Sequence, residues 1–588
     1  MAISRTKCLK IFNVNDTSLT VSLGQSKKDS SLYYFTLDEL GDNDWKANSI
    51  TIPPHQYAYC RGTAAPSTAA SEANTFQFSA AGKIILNGSL TSLFDNGMGG
   101  SDVALTAGCF KQLFNNTGTQ MEICVRNGLL PSLTVPDGAY EEMFKGQTIK
   151  NLPRKFIKGT TIGENSCKGM FKNVSGLTCV PDIFPNDYVS FSKNAFEEMF
   201  MGCNELEEIF FFAYNDFIKT GGNETIFTNW VSGVPATGTF HCQTGFPGAY
   251  GADGIPTGWS IDNKTSHIDT THCMKLTNVG AGVGHISIID NDWGDEFYFV
   301  KADDPNTLLR KVTNFSPGDV IYCLGTGSPG RNINGKCLFV TEVVSGRIIL
   351  QLDGSIMSMI DDGAGALDEL DEDMSFAWLF DSMRIDSISS TFLSATTLSP
   401  HCYNHLFRNT TLASIPENCL PANHMEKFCY NAMFSQTKIT EIPVNLFSSV
   451  TALSSNCFGA MFADTPITKV PTGLLPFTDG VTGCYGSMFL DCVLLTTVEK
   501  DSICLTDCGT DFMTHMFEGC AKLEKLSVNF TTWRNGTYEW VKNVGPKGDF
   551  KGPSSLERIY DEHHIPFGWE PPKRGSMIFN RTLKTVIG

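Results

Sequence analysis

The chain has no surplus of basic residues: 44 Lys and Arg stand against 62 Asp and Glu, a formal net charge of −18. Nucleic-acid affinity rests on clustered cations, so a phosphate-binding surface is not expected. Charge of either sign is scarce, at 18 % of residues against 41 % hydrophobic. The solvent face must then be built largely from Ser, Thr, Asn and Gly, as in extracellular and virion proteins. No apolar run approaches the roughly 18 residues of a membrane span. Glu208–Ala213 and Ile348–Leu352 fall far short of it, so membrane insertion is not expected. Met1–Lys10 is basic but runs into Asn13-Val-Asn-Asp16 with no apolar core of a leader, which predicts a product without a secretory signal.

Catalytic signatures are equally sparse. The sequence has no Gly-x-Ser-x-Gly elbow, no phosphate-binding loop and no Cys-x-x-Cys. Gly325-Thr-Gly-Ser-Pro-Gly330 matches the dinucleotide fingerprint in letters. It contains Pro329 and opens no helical pattern, so it reads as a turn. His401 and His405 lie four apart without an intervening Glu or a third ligand, so they do not specify a metal site. The acidic stretch Asp361–Asp373 lacks the carboxylate spacing of a calcium loop. No cofactor is expected. The 20 cysteines suggest a disulfide scaffold only until their positions are read. Cys109, Cys402, Cys429, Cys457 and Cys484 each directly precede an aromatic or apolar box, which reads as a small buried hydrophobe recurring once per unit. Reduced thiols follow.

Those boxes are what the sequence does have. Phe376–Phe380, Tyr403–Phe407, Tyr430–Phe434, Phe458–Phe462, Tyr485–Phe489 and Met513–Phe517 end in Phe residues 27, 27, 28, 27 and 28 apart. A looser set ends at Phe114, Phe144, Phe171 and Phe200. A fixed period of this length means a solenoid, in which each unit stacks on its neighbours. Apolar residues at i, i+3 and i+4 share one face of a helical turn, so each box is expected to be a short helical turn. A second apolar pair follows, often closed by proline, as in Ile439 and Ile442-Pro443 or Ile467 and Val470-Pro471. It is expected to be a short strand. About five buried side chains per unit at roughly 1.5–3 kcal/mol each cannot offset the entropy of fixing 27 residues at about 1–2 kcal/mol each. No unit should fold alone.

A larger duplication contains both arrays. Gln56–Thr63 and Gly82–Gly97 are echoed by Val320–Thr326 and Gly346–Gly363. Asn229-Trp-Val through Gly254-Ile-Pro-Thr-Gly-Trp259 is echoed by Glu539-Trp-Val through His564-Ile-Pro-Phe-Gly-Trp569. The expected organisation is therefore a β-rich entry module over 1–98, an array with a Trp closing element over 99–261 and a linker over 262–273. A second entry module over 274–363, a second array with closing element over 364–571 and a tail over 572–588 complete it. Alternating stretches such as Ser18–Leu23, Tyr33–Thr36, Asn48–Ile52, Tyr57–Cys60, His285–Ile289, Phe297–Val300 and Val320–Leu324 predict antiparallel strands in the modules. The fold class expected is mixed α/β and multidomain, with two small antiparallel β modules each followed by a solenoid of short strands and short helical turns.

Units of the form Cys-Tyr-x-x-Met-Phe followed by Leu-x-x-Ile-Pro resemble the BspA-type leucine-rich repeats of gut Bacteroidales surface proteins and of virion proteins of their phages. The closing Trp segments and the Tyr-x-Cys-x-Gly-Thr pieces are similar to parts of the same proteins. The resemblance implies a leucine-rich-repeat-like solenoid and an adhesion or recognition role, with no catalytic residues carried over. The expected function is a non-enzymatic structural and recognition protein of a phage particle, a fibre, tail or other exposed component located in the virion. Its expected partners are other virion proteins or a host-surface glycan or protein, with self-association a further partner class. The alternatives are a bacterial cell-surface adhesin and, third, a glycan-active enzyme. Between the two apolar anchors of each strand lie residues that cannot both face the core, so stacking should line them into an exposed ladder. In the second array this docking ladder is Ser414, Glu441, Lys469, Thr497 and Lys525, beside Ala413, Thr440, Thr468, Thr496 and Glu524. In the first it is Lys150-Asn151, Thr178-Cys179 and Glu207-Glu208. A Glu441–Lys469 pair across rungs is the plain structural expectation for part of it.

Overall fold

The computed structural model describes residues 8–23, 33–37, 45–47, 49–62, 76–94, 103–115, 119–184, 189–212, 226–242, 250–263, 270–288, 297–330, 339–363, 365, 367–506, 509 and 511–569. The chain forms two compact units that divide between Asp269 and Thr270. The tail over 572–588 lies outside the described residues, as does 264–269 of the expected linker. Asp262 and Asn263 are not linker: they belong to the strand Ser260–Asn263, which pairs in parallel with Thr239–Cys242.

Each unit begins with the same antiparallel arrangement. In the first, Leu9–Asn13 lies between Tyr57–Gly62 and Gly82–Asn87 in a six-stranded sheet, and Leu19–Leu23 lies between Ser49–Ile52 and Phe76–Phe78 in a three-stranded one. In the second, Met274–Asn278 lies between Val320–Gly325 and Leu350–Asp353, and Val283–Ile288 lies between Lys311–Phe315 and Phe339–Ser345. Buried polar residues repeat as well. The Ser92 hydroxyl accepts from Leu9 N–H at 2.8 Å and donates to the Cys60 carbonyl, and Ser358 does the same for Met274 and Cys323. The modules are fused to their arrays. Gly82–Asn87 pairs in parallel with Met121–Val125, and Leu350–Asp353 pairs in parallel with Ile385–Ile388. One contiguous core therefore runs from Leu9 to Trp259 in the first unit. The segment Gly325–Gly330 is a turn at the corresponding seam of the second. A side chain on Gly330 would sit 2.2 Å from the Ala377 backbone nitrogen, so only glycine allows that approach.

The boxes are not helical, and the mixed α/β expectation is corrected on this point: strands make up 28 % of the described residues and helix 2 %. Among the described residues the α-helix is the four-residue Ser358–Asp361. Each box is instead a ribbon of linked four-residue turns. In the rung Gly138–Gln147, N–H groups of Ala139, Glu141, Met143, Lys145 and Gln147 bond three residues back along the chain. Those of Gly138, Tyr140, Glu142, Phe144 and Gly146 leave the rung and bond carbonyls of residues 164, 166, 168, 170 and 172 in the next one, at 2.8–2.9 Å. Each rung thus offers every second donor to its neighbour, and every N–H from Gly138 to Gln147 finds a partner. The geometry requires a left-handed residue at each fourth place: Gly138, Glu142 and Gly146 in this rung, with φ of 63°, 51° and 73°, and Phe428, Ala432 and Gln436 in another, with φ of 59°, 49° and 60°. A non-glycine residue in that region costs about 1–2 kcal/mol. Two buried donors left without partners would cost about 1–3 kcal/mol each, so the turn ribbon wins.

A period of four puts residues i and i+4 on the same face, which is why the box imitates a helix in sequence. The last Phe of each box stacks on the next: Phe114–Phe144–Phe171–Phe200 at 5.4, 5.7 and 5.5 Å, and Phe380–Phe407–Phe434–Phe462–Phe489–Phe517 at 5.6–5.9 Å. The first aromatic forms a second column, Phe376–Tyr403–Tyr430–Phe458–Tyr485. Short parallel strands complete each rung before and after the box, as in Thr134–Val135 with Thr161–Ile162 and Lys469–Val470 with Thr497–Val498. The stacks end on tryptophan. Trp230 and Trp540 pack against Phe200 and Phe517 at an angle rather than in parallel, and a crossed clasp holds the last turn. Trp230 donates its indole N–H to Gly254 C=O and Trp259 to Pro235 C=O; Trp540 donates to His564 C=O and Trp569 to Gly545 C=O, all at 2.7–2.8 Å.

The box cysteines Cys402, Cys429, Cys457 and Cys484 are fully buried, and Cys109 is half-buried. Burial pushes the Cys402 and Cys429 thiols well above their usual range, those of Cys109 and Cys457 to about 12 and that of Cys484 to about 11. The thiolate is the reactive form, so a maleimide at about pH 8 should label Cys402, Cys429, Cys457 and Cys484 only after unfolding. Labelling of any of the four in the native chain at the rate of a free peptide thiol contradicts the buried column. The hydroxyls of Tyr430 and Tyr485 are buried without a hydrogen-bond partner, while Phe458 fills the intervening place in the same column. Tyr430→Phe and Tyr485→Phe should leave stability unchanged or raise it by up to about 1 kcal/mol. A loss above about 1 kcal/mol in denaturant melts would show that a partner for the hydroxyl exists.

Candidate docking surface

The strand that follows each box places its two anchors in the core and the residues between them outside. Val470, Val498, Leu526 and Phe550 are buried in one row. The preceding residues, Lys469, Thr497, Lys525 and Asp549, pair in register as the next row along the strands. Lys469, Lys525 and Asp549 are exposed and Thr497 is half-buried. The ladder residues Lys469, Thr497 and Lys525 are thus brought together. Asp549 extends their row, and the sequence reading missed it because the closing strand Asp549–Lys551 carries no box of its own. Ser414 and Glu441 are exposed between the buried pairs Leu412/Ile415 and Ile439/Ile442. Their rungs are joined by single bonds, Lys438 N–H to Leu412 C=O and Thr468 N–H to Thr440 C=O, rather than by paired strands.

Lys469 does not pair with Glu441. Its ammonium lies 2.7 Å from Glu499 Oε1. That contact, with Lys525 and Lys551 nearby, holds the Glu499 carboxyl below its ordinary range. Alternating charge with threonine between gives a mixed, weakly charged strip. In the first array Cys179 and Glu208 share one such row, which continues through Thr239 to Ser260. Lys150 reaches back to Glu122 at 3.0 Å.

The outer face of the turn ribbon carries a second kind of ladder. Ion pairs cross the rungs of the first array, Lys111–Glu141 at 2.8 Å, Lys168–Glu197 at 3.0 Å and Lys172–Glu198 at 2.7 Å. Partly exposed pairs of this kind contribute well under about 1 kcal/mol each. The early rungs of the second array present rings at the same positions. Trp378 stacks on His405 at 5.1 Å and His401 on Phe428 at 4.7 Å, all four in the left-handed region. His401 and His405 therefore sit side by side on a turn ribbon, not on a helix, each face-on to an aromatic ring rather than converging on an ion.

Compared with protein-family models, with curated proteins and with solved structures, the chain matches none. The site is consequently read from its own chemistry.

Among the described residues, the ligand atoms of His515, Glu518 and Glu539 lie within 4.8 Å of one another, as a metal site would require. The Lys542 ammonium already stands 2.6 Å from Glu539 Oε2 and 3.5 Å from Glu518 Oε1, and His515 Nδ1 is 2.6 Å from Glu518. A fixed cation thus fills the place an ion would take, and the group works as an ion-pair network. In the acidic stretch Asp361–Asp373, Asp361, Asp362, Glu369 and Asp371 are buried. Asp361 Oδ1 accepts from Gly363 N–H, and Glu372 accepts from the Ser328 hydroxyl at 2.8 Å. These are structural contacts at the seam of module and array.

Burial first, and the Arg408 cation second, hold the His405 ring at about 4, below its ordinary 6.5. The folded state keeps this ring neutral, so its contribution to stability is complete above about pH 6.5 and is lost as pH falls toward about 4. His405→Gln, neutral throughout, should show a smaller drop in melting temperature than the parent between pH 7 and 4.5. Identical curves would mean that His405 titrates normally in the folded chain.

Proposed function

We propose that this chain is a non-enzymatic structural and recognition protein of a bacteriophage particle, a fibre, tail or other exposed component that docks through the strand face of its second array. The observation that carries the reading is the in-register row Lys469–Thr497–Lys525–Asp549, supported from behind by the buried row Val470–Val498–Leu526–Phe550. Side chains on parallel strands stand about 5 Å apart, a regular array suited to a surface polymer or an extended protein segment. The repeat resemblance supports the same class, and the thiol-rich core suits assembly in a reducing cytoplasm. Function on a solenoid resides in exposed faces rather than in the architecture.

Two measurements test the reading. Mass spectrometry and immunogold labelling of purified particles should place the chain in the virion; finding it on bacterial envelopes instead would make it a cell-surface adhesin. Glu441→Ala, Lys469→Ala and Lys525→Ala together should abolish attachment or incorporation while shifting the melting temperature by no more than about 2 °C, since exposed pairs contribute little. Unchanged attachment would move the docking surface to the loops or entry modules.

A further inference from the structure

The two closing elements share a backbone and differ in their side chains. The Trp clasps fix the correspondence: each indole reaches a carbonyl 24 residues away in both halves. Val231 N–H bonds Ala252 C=O as Val541 N–H bonds Glu562 C=O. Both end on a left-handed glycine, Gly258 and Gly568. On this common frame Thr228, Asn229, Ser232, Asp253 and Thr257 of the first half stand where Tyr538, Glu539, Lys542, His563 and Phe567 stand in the second. The first half carries small polar groups and one carboxylate, and the second carries rings and charges of both signs.

We propose that the second closing element is a binding cleft for a neutral saccharide, a site its first-half counterpart lacks. A cleft of about 650 Å³ opens between the segments 541–546 and 561–567, with Lys542, Glu562, His563 and Phe567 among its walls. Phe567 is 71 % exposed and Tyr538 is 51 % exposed. Phe567, on the cleft wall, gains little from burial in the folded chain, and Tyr538, beside the wall residue His563, leaves half its surface in water; hydrophobic stabilisation scales with the apolar area removed from water. Their ring faces gain that burial from a ligand that is apolar on one side, and the C–H face of a pyranose is such a surface.

The polar groups match the rest of a sugar. Glu539 N–H donates to His563 Nδ1 at 2.8 Å, which places the ring proton on Nε2. Tyr538 stacks on that imidazole at 4.9 Å and 18°, holding it in place at the rim. Nε2–H and the Lys542 ammonium are donors, and the carboxylates of Asp561 and Glu562 are acceptors, the mixed set that ring hydroxyls require. Glu518 and Glu539 pair with the Lys542 ammonium, while Glu562 lies against His563 and Asp561 against His564, so this closing element carries four carboxylates to one permanent cation. An acidic sugar is therefore repelled, and a neutral one is selected. The inference does not depend on the docking row.

The test uses the full chain and saturation-transfer NMR with mannotetraose, cellotetraose and maltotetraose as neutral probes and tetragalacturonate as the acidic one. Transfer to ring C–H protons of at least one neutral probe is expected, with none to the acidic probe. Tyr538→Thr with Phe567→Thr, which installs the first-half residues at exposed positions, should weaken binding roughly tenfold or more. Lys542→Ser, again the first-half residue, should weaken it too, and both variants should melt like the parent. No transfer to any neutral probe, preference for the acidic one, or equal binding by the Tyr538/Phe567 variant would overturn the proposal.

Discussion

The alternate-residue hydrogen bond of the turn ribbon is the constraint on which the rest depends. Each box can give half its donors to the next rung only if the chain turns every four residues, and it can turn so tightly only by entering the left-handed region at a fixed interval. Once that is met, the two aromatics of the box fall at i and i+4 on the inner face. Neighbouring rungs are then held at a distance where Phe stacks on Phe. The columns and the strand rows follow from the ribbon, since both inherit its register.

The ends show what the middle conceals. A stacked column has no natural terminus, because its last ring presents a bare face to water. Each half begins on a β module whose sheet supplies the first rung's partner strand and finishes on a tryptophan set across the column. The larger indole covers Phe200 or Phe517 and also carries an N–H that must be satisfied when buried. The crossed clasp satisfies it and ties the final turn to the rung beneath. One group thereby closes both the apolar and the polar accounts.

Much of this was legible in sequence. The period, the duplication, the buried cysteines, the entry-module strands and the Lys469–Thr497–Lys525 row could be read because each is a pattern of apolar against polar residues. The helical assignment failed because Tyr430, Met433 and Phe434 have the same spacing on a 3.6-residue helix and on a four-residue turn, and hydrophobicity cannot separate the two. The discriminating signal was present outside the boxes. Asn165 and Asn173, Asn194 and Gly202, Asn456 and Asp464, Gly483 and Asp491, and Asp511 and Gly519 are pairs eight apart, and these are the residue types that tolerate positive φ. The Lys469–Glu499 contact, the Asp549 extension and the cluster at His515 were not legible, because they join residues that only the stacking of rungs makes neighbours.

The parity of the ribbon also dictates how such a chain can change length. Removing one residue from a box would exchange inward for outward donors along the remainder of that rung, so every bond to its neighbour would be lost together. Removing four would preserve parity but delete an aromatic. A box is therefore quantised, whereas the connections between boxes are not, and the intervals of 27 and 28 residues between successive Phe positions show the single-residue slack residing there. An array of this kind lengthens or shortens by whole rungs, so its reach is set by copy number rather than by gradual drift in sequence.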